Sequence, residues 1–231
     1  MQKTKWTRSS TGSLNFYRSS ALASLALALV VGLVQPVEAA PAPPLASAAV
    51  KALAVKGRAP KTGYSRDQFG SGWGDIGSCD TRNYILQRDL TRITWRSSPS
   101  CTVASGVLHD PYTGSTINFV RGVGTSLAVQ IDHVVALSDA WQKGAQQLSF
   151  ATRVSFANDP LNLLAVDGPT NGQKSDSDAA SWLPPRKAYR CAYVSRQVAV
   201  KRKYHLWVTQ AERDAILVVL RACPTMRIPT R

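Results

Sequence analysis

Histidine is scarce in this chain, with three copies in 231 residues, so few positions are open to imidazole acid–base chemistry. The four cysteines, Cys79, Cys101, Cys191 and Cys223, include no CxxC pair, which argues against a zinc knuckle or a thioredoxin-like motif. A membrane span needs about 20 apolar residues. The run Ala21 to Val34 has fourteen apolar or small residues, and no later segment competes with it. No cysteine stands near its end to carry a lipid, no twin arginine precedes it, and no internal repeat is visible. Acids are also few: 14 Asp and Glu stand against 28 Lys and Arg, a formal charge of +14.

What is present at the N-terminus has the order of a secretory signal. Lys3, Lys5, Arg8 and Arg18 lead into the apolar run, and "QPVEAA" offers a small-residue cleavage site after Ala39. Residues 1–39 are therefore expected to be a signal peptide, and the mature protein is expected to be secreted, with no stable membrane insertion after cleavage. The Ala- and Pro-rich residues 40–60 read as a flexible spacer. Residues 61–231 then form one domain, long enough for a real core. Removing residues 1–39 leaves 24 Lys and Arg against 13 acids, or +11. From Arg186 to the end, eleven Lys and Arg face only Glu212 and Asp214. Such a basic face favours a polyanion: nucleic acid, anionic headgroups or acidic polymers.

An even cysteine count in an exported chain suggests two disulfides, and four cysteines allow three pairings. Cys79–Cys101 and Cys191–Cys223 are preferred, because each pair flanks one compact segment. Apolar spacing after Asp80 predicts a helix over 80–93, and strands are expected near Thr102–Leu108 and Ser115–Arg121. "LAVQID" and "LNLLAVD" read as further strands. "LSDAWQKGAQ", "LSFATRVSFA", "YRCAYVSRQVAVKRKY" and "TQAERDAILVVLRAC" read as helices, the last opened by a Thr209–Glu212 capping box. "TNGQKSDSDAASWL" opens with turn residues and is expected to continue as a helix that stops at Pro184-Pro185. The class is α+β.

The middle of the chain concentrates the chemistry. Asp132 and His133 end a strand, Asn162 follows in "NDPLNLLAV", and Asn171 opens "NGQKSD" with Lys174 behind it. Alone, a buried Asp-His pair is ordinarily a satisfied structural pair, and Asn-Gly or Asn-Asp is ordinarily a turn. In this order and spacing, "IDHVVAL…NDPLNLLAV…NGQKSD" resembles the HNH endonuclease motif of the ββα-metal fold. The wider pattern is closer to small exported HNH proteins related to the C-terminal domain of GmrSD-type restriction enzymes, and it covers most of Gly63 to Cys223. The resemblance implies a ββα-metal (HNH) catalytic unit embedded in a small disulfide-bonded domain with flanking helices.

The resemblance also implies roles. His133 would be the general base, Asp132 and Asn171 the ligands of a divalent metal, and Asn162 the residue that fixes the His-bearing loop. Oxygen donors suit Mg²⁺ best, with Mn²⁺ or another divalent ion as alternatives. Lys174 is expected to reach a phosphate. Ala136 stands where relatives often carry Pro, a change expected to touch rate at most. The implied function is hydrolysis of DNA phosphodiesters, with RNA left open. Sequence choice should be weak, since no base-reading module accompanies the unit. No protein partner is inferable. The rival reading is a non-catalytic extracellular protein that binds nucleic acid or another polyanion on the same scaffold.

Overall fold

The computed structural model describes residues 41–97 and 101–230; the signal peptide expected over 1–39 lies outside the described residues. In chain order come α1 (Ala46–Lys51), a short hairpin of β1 (Asp75–Ile76) and β2 (Cys79–Asp80), and α2 (Thr81–Asp89). An antiparallel meander follows, made of β3 (Leu90–Trp95), β4 (Val103–His109) and β5 (Thr116–Val120). The next unit is β6 (Val129–His133), α3 (Leu137–Gln142), α4 (Phe150–Ala157), β7 (Leu163–Asp167) and α5 (Gly168–Lys174). Two longer helices, α6 (Arg190–Lys203) and α7 (Gln210–Leu220), complete an α+β fold. None of the helices among the described residues is long and apolar enough to cross a membrane.

Local chemistry explains most boundaries. Asp80 caps α2 by accepting from the Asn83 amide at 2.7 Å. The helix stops at Asp89, not near Ile93, because Leu90, Thr91, Thr94 and Trp95 pair with β4. β-Branched and aromatic side chains favour that pairing over another helical turn. Thr209 caps α7, accepting from the Glu212 amide at 3.1 Å. Glu212 does not return to Thr209 as a capping box would require; its carboxylate is fully buried and binds Lys143 and Lys201 at 2.6 and 2.9 Å. The disulfides are Cys79–Cys101 and Cys191–Cys223, the preferred pairing.

Residues 41–60 depart from the expected spacer. Ala46, Ala49 and Val50 of α1 are buried, and the helix packs on α6 and α7. Leu45 bridges Arg227, and Val55 bridges Val208. Ala46, Ala49 and Val50 sit at helical i, i+3, i+4 spacing, and their small side chains let the backbones approach closely. Uniform Ala-rich composition concealed that stripe.

The antiparallel β6–β7 ribbon lies between two apolar clusters. Val129, Ile131, Leu163 and Ala165 join the cluster built on α2 and the meander. Leu164 and Val166 join the larger cluster of α1, α3, α4, α6 and α7. With both faces covered, the ribbon reads as a nearly continuous apolar run. A second buried feature ties the helices: Lys143 contacts Asp139, Asp178 and Glu212 at 2.6–2.7 Å, while Lys201 joins Asp139 to Glu212. Arg58 adds a third cation, at 2.7 Å from Asp178. Burial alone would raise the Asp178 carboxyl, but Lys143 and Arg58 outweigh it and hold it at about 2.

β7 passes into α5 without a loop. Asp167 caps the helix, accepting from the Thr170 amide at 2.8 Å. Gly168 lies so near the entry to β6 that a Cβ there would fall 2.0 Å from the Leu127 carbonyl oxygen. Gly168→Ala must therefore push α5 off the ribbon. Its expected cost is about 1–3 kcal/mol, as for other overpacking substitutions, and urea unfolding would measure it. An unchanged midpoint would contradict this packing.

Candidate active site

Successive strand residues point to opposite faces, so β6 turns Asp132 and His133 in different directions. Asp132 pairs with Leu164 and His133 with Leu163 across the ribbon. Asp132 is buried between α5 and the β4–β5 connection, and both carboxylate oxygens are engaged. Lys174 Nζ donates to Oδ1 at 2.9 Å, and the Tyr112 hydroxyl donates to Oδ2 at 2.5 Å. Lys174 also donates to the His133 carbonyl at 2.9 Å. Burial, and next the charge of Asp132, push the Tyr112 phenol well above its ordinary range, so it remains a donor.

This arrangement corrects the expectation for Lys174. Its side chain is fully buried and reaches no solvent from which a phosphate could approach. The cause is the helix boundary. Instead of beginning at the turn residues and running toward Pro184, α5 starts at Gly168 and ends at Lys174, with Ser175 at φ 51°. Lys174 therefore falls in the last turn, facing the ribbon, where the buried carboxylate requires a cation.

His133 faces the other way. Its Nε2 is 2.9 Å from the Ala157 carbonyl oxygen, and the Trp73 indole is stacked over the ring at 5.7 Å between centroids, 10° from parallel. A carbonyl only accepts, so Nε2 carries the proton and Nδ1 keeps a lone pair in the neutral ring. Burial lowers the imidazole from 6.5 to about 4, and the nearby charges of Arg66 and Lys174 act in the same direction. The unfolded ring binds its proton first as pH falls. The stability tied to this group is thus fully present above about 6.5 and is lost as pH drops toward about 4.

Asn162 is wholly buried and clamps the turn after His133. Its Oδ1 accepts from the Val135 amide at 2.8 Å, its Nδ2 donates to the Val135 carbonyl at 3.2 Å, and its own carbonyl accepts from the Val134 amide at 2.8 Å. Asn171 lies in α5, not at its start, and donates through Nδ2 to Gln130 Oε1 at 2.9 Å. Asp132, His133, Gln130 and Asn171 all line one cavity of about 520 Å³, with Lys61, Tyr64 and Arg66 also on its wall. A smaller cavity of about 270 Å³ borders His133 beside Trp73. His109 ends β4, exposed and bonded to Thr116 at 3.2 Å, and lines neither cavity.

The oxygens of Asp132 and Asn171 suit a hard divalent ion, and Asn171 Oδ1 accepts no hydrogen bond among the described residues. No group of three or more His, Cys, Asp or Glu is placed to hold a metal among the described residues. With the Asp132 oxygens already hydrogen-bonded to Lys174 and Tyr112, such an ion would be held only loosely, its shell completed by water or substrate. The sequence reading did not single out Trp73, Tyr112, Arg66 or Gln130. Tyr112 stood inside a turn signal and Trp73 among glycines, where nothing in the local pattern marks a partner.

Residues 80–219 match the family of GmrSD restriction endonucleases, C-terminal domain. The chain belongs to this family. Membership in the GmrSD C-terminal domain family assigns it, at family level, to nuclease-type hydrolases. The chain is also similar to an "uncharacterized secreted protein" of Arthroderma benhamiae, 38% identical over 207 residues, which covers 87% of this chain and 98% of that relative. No solved structure matches. In this family member, Lys174→Met should leave Asp132 buried without its cation and destabilise the fold by roughly 3–5 kcal/mol, as for other broken buried pairs. Lys174→Met combined with Asp132→Leu should recover most of that loss in urea unfolding. Additive losses would contradict the pairing.

Proposed function

We propose that this protein is a secreted, metal-dependent endonuclease that hydrolyses DNA phosphodiesters with low sequence specificity, RNA being left open as a substrate. The observation that carries the reading is the state of His133. The ring is held neutral, its Nε2 proton is committed to Ala157, and it lines the same cavity as Asp132 and Asn171. An unprotonated Nδ1 is the acceptor that deprotonates an attacking water. Asn162 keeps the following turn rigid, and Trp73 fixes the ring plane. Lys174 and Tyr112 orient the Asp132 carboxylate.

Asp132 and Asn171 would hold the divalent ion, Mg²⁺ being the best match to oxygen donors. Such an ion supplies Lewis-acid charge neutralisation at the phosphate and at the leaving oxygen. Because Lys174 already offsets the charge of Asp132, the ion is expected to bind weakly until substrate adds its own oxygens. The basic C-terminal segment would hold the polyanion backbone, so binding should weaken steeply with salt. Export is supported by the N-terminal signal pattern and by the printed name of the Arthroderma relative.

His133→Ala should abolish cleavage of labelled DNA while retaining binding in an anisotropy assay. Wild-type cleavage by the variant would end the assignment. The pH profile offers a second check. His133 gains its proton only near pH 4, so the acid limb of kcat/KM for the free enzyme should fall near pH 4 and not near 6.5. A limb at the ordinary histidine position would contradict the buried, neutral base.

A further inference from the structure

The cavity beside His133 is walled in part by residues that precede the family match at 80–219: Lys61, Tyr64 and Arg66. They belong to a strap, residues 56–74, that is held to the domain along its length. The Ala59 amide donates to Gln142, Trp141 Nε1 donates to the Thr62 carbonyl at 3.3 Å, and Arg153 donates to the Gln68 carbonyl at 2.7 Å. Phe69 is buried against Trp141 and Phe156. A single turn of 3-10 helix, Arg66–Phe69, therefore places Arg66 on an anchored backbone while its side chain stays exposed.

The cations near His133 differ in what they are committed to. Lys174 is buried on Asp132, and Lys61 is paired with Asp176 at 3.1 Å. Arg66 has no hydrogen bond or ion pair with another side chain among the described residues. It also shares with His133 and Leu137 the distinction of lining both the large cavity and the smaller one beside Trp73. We propose that Arg66 is the phosphate-binding residue of the site, gripping the scissile phosphodiester with its planar guanidinium while His133 delivers the water. The inference rests on the phosphodiesterase reading of the site, and it gives Arg66 the contact that the sequence pattern had suggested for Lys174.

Two further points favour arginine here. A guanidinium can donate two parallel hydrogen bonds to two phosphate oxygens, which fixes the phosphorus relative to the base as well as attracting it. The place of Arg66 on the wall of both cavities that His133 borders also puts the guanidinium beside the imidazole.

The test uses the chain with its strap intact. Binding of a fluorescein-labelled ten-nucleotide single-stranded DNA is measured by anisotropy in a His133→Ala background, without turnover. In that background Arg66→Ala should weaken binding about tenfold or more, and Arg66→Lys should recover little because an ammonium cannot make the paired contact. Lys51→Ala, on the exposed face of α1, removes the same charge elsewhere and should change affinity less than about twofold. With His133 intact, Arg66→Ala should lower kcat/KM about 100-fold, the scale of losing one transition-state donor. Binding by Arg66→Ala equal to that of the Lys51→Ala control would overturn the proposal, as would absence of binding by the parent. If Arg66→Ala loses binding but the wild-type chain cuts no phosphodiester, the Arg66 assignment stands and the nuclease reading fails. If the wild type cuts and Arg66→Ala cuts equally well, the reverse holds.

Discussion

A buried carboxylate left without a counter-charge costs several kcal/mol, and the centre of this fold is organised around one, Asp132. Lys174 and Tyr112 satisfy it from two different parts of the chain, the end of α5 and the β4–β5 connection. The same ammonium reaches the His133 carbonyl, so a single cation fixes the carboxylate, the strand end and the last turn of the helix together. The position of α5 against β6, and with it Asn171, follows from that contact and from the close approach at Gly168. Asp132, His133, Gln130 and Asn171 consequently line one cavity.

Buried charge is concentrated at a second place in this domain, and there cations meet acids. Lys143, Lys201 and Arg58 meet Asp139, Asp178 and Glu212 where α3, α6, α7 and the N-terminal strap converge. Burial alone would pull Lys201 down, yet Asp139 and Glu212 hold it at about 12. Such a cluster is a weak source of net stability compared with an apolar core. Its geometry is specific, however, and through Arg58 it fastens the strap to the body that carries His133. The two disulfides act at the periphery, one beside the meander and one across α6 and α7.

Much of this was legible in the sequence where short-range rules operate. Short apolar runs bounded by turn residues marked β4, β5, β6 and β7, capping residues marked α2 and α7, and the four cysteines paired as their flanking segments suggested. The readings that failed concern long-range partners. Leu90 and Ile93 continue a helical period but fall in β3, which pairs with β4, and Glu212 fits a capping box but is claimed by two buried lysines. Lys174 looks like an exposed helix residue until Asp132 is placed beside it. α1 was hidden because alanines buried at close helix contacts look the same in sequence as alanines in a linker. Of the candidate site, the order His133, Asn162, Asn171 was readable. The contributions of Trp73, Tyr112 and Arg66 were not, since each arrives from a distant segment with no pattern of its own.

On the proposed reading, the cavity at His133 hydrolyses phosphodiesters with the help of a divalent ion held by Asp132 and Asn171. The most direct test of that reading is incubation of the purified exported chain with supercoiled plasmid and with a long single-stranded RNA. Each is tried in Mg²⁺, in EDTA, and after Mg²⁺ is restored. Nicking and linearisation that stop with chelator and resume with metal are the expected result. Intact plasmid and RNA in Mg²⁺, or cutting indifferent to chelator, would contradict it.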